Sequence, residues 1–366
     1  MSPGDAMKLN GRRHAQGSST ATGRYCRVTA VVWLVLLSAS VAAQDGTLLV
    51  VNGDHQAGSI SFFDLATEVE VARVPIGVRT PHEVAVSPDG RWAVTGEYGP
   101  NAAPVGRRVV VIDVANARIA GYIDLGPNSR PHDSVFLPDS RRALVTMEAT
   151  DQLALIDVVA LEVLRTYPIG AGAREGHMVH LSPDATRAYV AGRQGKGTVS
   201  VIYLREERAP TVIPTGLGAE GLAVTADGRA IWVLNQEEDS ISVIDAQTLR
   251  VTANFPSADQ PRRIAALPGG RIVIVNGNEG GASLRIYADD THALLHDISI
   301  SALLPGDDGY GFLLQDQRGF VSNRTGGRIL VYDLADPTAP PTILTDGHDR
   351  PDGMAWSPLR VAVLDD

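Results

Sequence analysis

One stretch of this chain, Pro81 to Gly96 with the sequence PHEVAVSPDGRWAVTG, recurs along its length and limits the folds available to it. Two alternating apolar runs flank a Pro-Asp-Gly-Arg turn, the pattern of a strand, a tight turn and an antiparallel strand. Related stretches begin at Pro131, Gly176, Ala219, Pro261, Asp308 and Pro351, at spacings of 50, 45, 43, 42, 47 and 43 residues. A strand-rich repeat of about that period builds one four-stranded sheet per copy, and seven copies predict an all-β, seven-bladed β-propeller of antiparallel blades. From Thr47 the chain reads TLLVVN, SISFFDL and EVEVARVPIG, which match the second, third and fourth strands of a repeat. The missing first strand is expected from Asp352 to Ser357, so that the two ends of the chain close the ring and hide its sheet edges. Arg360 to Leu364 also reads as a second strand and competes with Leu48 to Asn52 for one slot. The N-terminal segment is expected to fill it, because it runs directly into two further strands.

Residues 1–43 read as a secretory signal and 44–366 as the propeller. Arg12, Arg13, Arg24 and Arg27 precede the apolar run Val28 to Leu37, and Val41 and Ala43 sit where cleavage before Gln44 requires small residues. The run is short for a membrane span. The mature protein is expected in a periplasm or outside the cell, with no membrane attachment after cleavage.

Charge and composition then remove several function classes. The net charge is −10, and the first 43 residues carry five Lys/Arg against one Asp, or +4, which leaves −14 on the rest. Such a surface argues against a nucleic-acid partner. The single cysteine, Cys26, precedes the apolar run, so the mature chain has no thiol for a disulfide, a nucleophile or a metal. Lys196 is the one lysine after the leader, which disfavours Schiff-base chemistry. There is no nucleophile elbow, phosphate loop, dinucleotide fingerprint or haem-attachment motif.

Third strands end in an apolar-Asp pattern (VVVIDV, LALIDV, ISVIDA, ILVYDL), where the Asp is expected to cap backbone amides at the turn. With second strands such as WAVTG, AYVAG, IWVLN and IVIVN, the chain from Thr47 to Asp366 resembles the YVTN-type β-propeller repeat family. That resemblance implies the scaffold and little about activity, since the family spans secreted propellers, surface-layer proteins and relatives of redox enzymes.

Antiparallel pairing puts the start of each first strand and the end of each second strand on one face, around the central channel. By register the first position gives His82, His132, His177, Glu220, Arg262, Gly309 and Asp352. The second gives Glu97, Glu148, Arg193, Gln236, Gly277 with Asn278, Arg324, and the Gly53-Asp54-His55 turn. His82 is expected opposite Glu97, and His132 opposite Glu148. Arg79, Arg130, Arg174, Glu83, Asp133, Arg263 and Tyr310 form a layer beside them.

Two chemistries fit such a funnel. His82, His132 and His177 suit a copper, zinc or iron ion, with glutamates orienting the rings. Alternatively His–Glu pairs act as acid or base on an anionic substrate held by arginines, as in lactone opening or β-elimination. Duplication of a structural Pro-His accounts for the same three histidines without chemistry. The reading favoured is a binding or scaffold propeller, expected as a monomer, taking a small anionic ligand, a metal or a protein segment. The alternative is a hydrolase, lyase or oxidoreductase using the same funnel. His180, three residues after His177, is expected on the other side of its strand in a packing role. His292, His296 and His348 are expected in solvent. The insertion at residues 98–108 is read as a decorated turn or a lid, and so is the one at 301–308.

Overall fold

The computed structural model describes residues 46–361, apart from 54–56, 100–103, 279–280, 305–309 and 346–348. The signal-peptide reading therefore lies outside the described residues. Between them, 28 strands form seven four-stranded antiparallel sheets. Numbering blades by their first strands, these are Val84–Val86, Pro131–Phe136, Gly176–Leu181, Ala219–Val224, Pro261–Leu267, Tyr310–Gln315 and Pro351–Ser357. Each of the seven touches the next, and the seventh touches the first, so the ring is closed around an axis lined by first strands.

Blade seven is the composite one. Its first strand, Pro351–Ser357, pairs with Thr47–Asn52, which pairs in turn with Ser59–Asp64 and then Val69–Pro75. Trp356 faces Leu48 and Met354 faces Val50 in this register. The slot thus goes to the N-terminal segment. Arg360 instead turns outward to pair with Asp64, while Thr47 donates to the Leu359 carbonyl at 2.8 Å. Residues 362–364 lie outside the described part.

The sequence dictates these layers plainly. Second and third strands are apolar at nearly every position and buried on both faces, as in Ala188–Ala191 and Ile231–Leu234. Fourth strands alternate, because only one face meets a neighbour. The cores lie between blades: Ile60 and Phe62 of blade seven pack with Val110 and Ile112 of blade one. Each such side chain contributes about 1.5–3 kcal/mol by leaving water. The aspartates at third-strand ends cap turns. Asp64 accepts from the Ala66 and Thr67 amides, Asp157 from Val159 and Ala160, and Asp245 from Gln247 and Thr248.

Ring closure also needs close backbone approach at the axis. A Cβ on Gly353 would stand 2.4 Å from the His82 carbonyl, and the Gly353 amide donates to that carbonyl at 2.8 Å. Only glycine lets blade seven approach blade one this closely. No helix among the described residues is long and apolar enough to cross a membrane.

Candidate functional site

A β-bulge shapes the funnel. Pairing of first with second strands slips between Pro131 and Ser134, Gly176 and Val179, Ala219 and Leu222, and Pro261 and Arg263. Bulges re-aim side chains. The residue at the slip turns along the ring towards the neighbouring blade, away from its own second strand.

The carboxylate partners differ from the sequence reading for that reason. Glu148 of blade two serves His177 of blade three, with Nδ1 to Oε1 at 2.5 Å. His82 meets Asp352 of blade seven at 3.2 Å, and Glu97 pairs with Arg108 at 3.1 Å and Arg79 at 3.5 Å. The expected pairs His82–Glu97 and His132–Glu148 are thus not the ones made: His177–Glu148 and His82–Asp352 join neighbouring blades, and Glu97 turns to arginines. The same slip corrects the reading of His180. It keeps His177 and His180 both on the channel side, and His180 is solvent-accessible within the channel while enclosed by protein, which lowers its pKa. His292 is half-buried against Trp232 and Phe255, both ring centroids at 5.3 Å, so aromatic packing takes the place of solvent. His55 and His348 lie outside the described residues.

The three funnel histidines do come together. The His132 and His177 rings stack at 3.9 Å, and His82 lies 5.5 Å from His132. Tyr98 packs edge-on against His82 at 4.5 Å and His132 at 5.4 Å, with the Arg130 guanidinium over its ring at 5.1 Å. Tyr98 is the residue the register argument missed. It lies one position past the repeat, in the insertion, where only its being aromatic on the funnel face marked it.

The two stacked imidazoles carry opposite protonation. His177 is 3.1 Å from Glu220 at Nε2, so both ring nitrogens face carboxylates. Burial alone would lower its pKa, but Glu220 and Glu148 outweigh burial and push it up to about 9. His177 is an imidazolium at neutral pH. Burial holds His132 well below its ordinary value, and the charges of His177, His82, Arg263 and Arg193 push in the same direction. His132 is therefore neutral, 4% exposed, and has no partner at Nδ1.

Arginines brace the ring. Arg193 reaches Glu175 at 3.0 Å, Glu220 at 3.5 Å and Glu148 at 4.0 Å. Arg324 binds Asp352; burial would raise that carboxyl, but Arg324, His82 and Arg263 together outweigh burial and hold it well below the usual range. Burial of Glu220 is likewise outweighed, by His177, Arg193 and Arg263. Arg174 pairs with Asp151 at 2.6 Å, and Arg262 bonds the Gly277 carbonyl at 3.0 Å and Gln260 at 2.8 Å.

The same ring offers a set of metal donors. His132, Glu148 and His177 bring donor atoms within 4.8 Å of one another, a set of two imidazoles and a carboxylate that suits zinc or iron. His177 joins such a set only by giving up the proton that Glu148 and Glu220 hold in place. The unpaired nitrogen of neutral His132 is the donor ready for a metal.

A profile for YncE-like β-propellers matches residues 39–302. The chain belongs to that family. Among curated relatives, this YncE-like propeller is 25% identical to the protein NirF of Stutzerimonas stutzeri over 267 residues, 68% of this chain and 66% of NirF. It is 27% identical to the dihydro-heme d1 dehydrogenase of Pseudomonas aeruginosa over 149 residues, 38% of this chain and 29% of that enzyme. The chain thus spans just under two thirds of one relative and under a third of the other. Among solved structures, the periplasmic gluconolactonase of Pseudomonas aeruginosa aligns with a TM-score of 0.65 at 16% identity, over 85% of this chain and 99% of that one. A protein of unknown function from Desulfotomaculum acetoxidans reaches 0.68 at 14%, over 85% and 99%. At these identities the structures share the fold alone.

Proposed function

We propose that this YncE-like propeller is an extracytoplasmic binding protein whose funnel takes a planar, anionic, metal-centred ligand of the tetrapyrrole class. The observation that carries this reading is His132, a buried neutral imidazole with an unpaired nitrogen at the centre of a ring of aromatic and charged side chains. Neutral imidazole is a good donor to iron. Tyr98 and His82 supply flat surfaces beside it. Arg130, over the Tyr98 ring, brings a positive charge to the same place for a carboxylate group of the ligand. The name of the second curated relative, a dehydrogenase of a dihydro-haem, supports a ligand of this class.

Each funnel residue has its part in that reading. His132 holds the metal of the ligand, which when bound supplies the redox chemistry. Burial keeps His132 deprotonated, and the His177 imidazolium, fixed between Glu148 and Glu220, adds to this by holding positive charge next to it. Asp352 and Arg324 fix the His82 ring. Acid–base hydrolysis fits less well, because His177 has both nitrogens engaged and His82 shares its Nδ1 side with Asp352 and Arg324.

Haemin titrated into residues 44–366 tests the reading. One equivalent should bind with a red-shifted Soret band, and His132→Ala should weaken binding at least tenfold or abolish the shift. Haemin that binds His132→Ala as tightly and with the same spectrum contradicts it. A protein that ignores haemin but retains one equivalent of zinc, copper or iron, lost in His132→Ala, would make the funnel a site for a bare ion.

A further inference from the structure

Below the histidines an ion pair crosses the channel. Arg263 of blade five reaches Glu83 of blade one at 2.6 Å, from nearly opposite sides of the ring, and both side chains are largely buried. Beyond this pair the first strands line a half-open chamber of about 400 Å³. Its walls are mostly apolar, with Val135, Val224, Ala266, Phe312 and Leu314 among them. Glu83, Asp133 and Arg263 form one polar end, and His180 also lines it. A concave apolar pocket with a few convergent polar groups is the usual form of a small-molecule site.

The charge at the polar end is out of balance. Besides Glu83, Arg263 feels Glu220 at 3.6 Å and, further off, Asp352 and Asp133. Glu220 is matched by His177 and Arg193, and Asp352 by Arg324. Glu83 and Asp133 are left to share one guanidinium. Asp133 accepts from the Val179 and Ser134 amides, both at 2.8 Å, which fix it in place without neutralising it. Burial, reinforced by Asp352 and Asp133 and opposed by Arg263 and His177, pushes Glu83 up to about 7. Buried carboxylates one positive charge short call for a cationic group.

We propose that this chamber is a second binding site, separate from the funnel, for a small amphipathic amine. Its ammonium group bonds Glu83 and Asp133, and its hydrocarbon part lies against Val135, Val224 and Leu314. An amphipathic carboxylate is excluded by the same charges, because its head would join the carboxylates already crowding one arginine. The site does not depend on the tetrapyrrole reading of the funnel.

Hexylamine is the probe, with hexanol and hexanoate as controls, titrated calorimetrically into residues 44–366 near pH 8. Hexylamine should bind one to one, at least tenfold more tightly than either control. Glu83→Gln should weaken it at least tenfold. Val224→Phe, which fills the chamber and leaves the carboxylates intact, should abolish binding, and this second variant covers the case in which Glu83→Gln fails to fold. His132→Ala should leave the amine untouched, so loss of haemin binding and loss of amine binding report separately. Hexylamine that fails to bind, binds no better than hexanol, or binds Val224→Phe unchanged overturns the proposal.

Discussion

A chain ending at Arg350 does not fold into a soluble monomer. It lacks Pro351–Ser357, the first strand of the composite blade, and so leaves Thr47–Asn52 with one open edge. All six residues of that strand are buried in the intact protein. Leu48 and Val50 lose Met354 and Trp356 as cover, and the backbone groups of the open edge lose their partners. Asp352 goes with the strand, so Arg324 and His82 lose their shared carboxylate. The expected result is aggregated material with no cooperative unfolding transition. A monomer that unfolds in one sharp step, by circular dichroism and size-exclusion chromatography, contradicts the closure described above.

The second large effect belongs to Glu220. This side chain is 7% exposed and faces three cations, His177 at 3.1 Å, Arg193 at 3.5 Å and Arg263 at 3.6 Å. Removing one partner from a buried charge network costs about 3–5 kcal/mol, because the remaining charges stay buried without compensation. Glu220→Gln keeps the volume and should lose about that much in a urea unfolding series. The variant should also change how stability depends on pH. The folded-state pKa of His177 is raised from 6.5 to about 9, so its contribution is complete below about pH 6.5 and disappears as pH rises through 9. A rise of that size corresponds to about 3 kcal/mol. The wild-type protein should lose stability across this window, and Glu220→Gln should lose much less. A variant within about 0.5 kcal/mol of wild type, with an unchanged pH profile, would show that Glu220 is not part of a tight network.

The scaffold was legible because a propeller repeats its own instructions. Seven copies of one hairpin gave the blades, the apolar-Asp pattern gave the turns, and TLLVVN gave the closing strand. The funnel was legible as a set of positions, and His82, His132 and His177 do gather there. Their partners were not legible. One-residue slips at His132, His177 and Asp352 send Glu148 to His177 and Asp352 to His82, and no local pattern announces a slip whose cause is packing around the axis. Arg263 and Glu83 are 180 residues apart, and their bond exists only because the ring places blades one and five across from each other. Tyr98 escaped because insertions stand outside the repeat that made everything else readable. The arginines were legible as a group, but their pairing with Glu175, Asp151 and Asp352 changed their meaning, from a free anion trap to a brace for the histidines.

The central claim is that of two stacked imidazoles in one funnel, His177 is protonated and His132 is neutral, which makes His132 the donor. Ring-nitrogen NMR of the histidines across pH 5 to 10 tests it directly. The account predicts that His177 keeps both ring protons until about pH 9, and that His132 stays neutral well below the ordinary histidine range. A His132 that is protonated at pH 6, or a His177 that loses its proton near 6.5, would contradict the charge arrangement and with it the role given to His132.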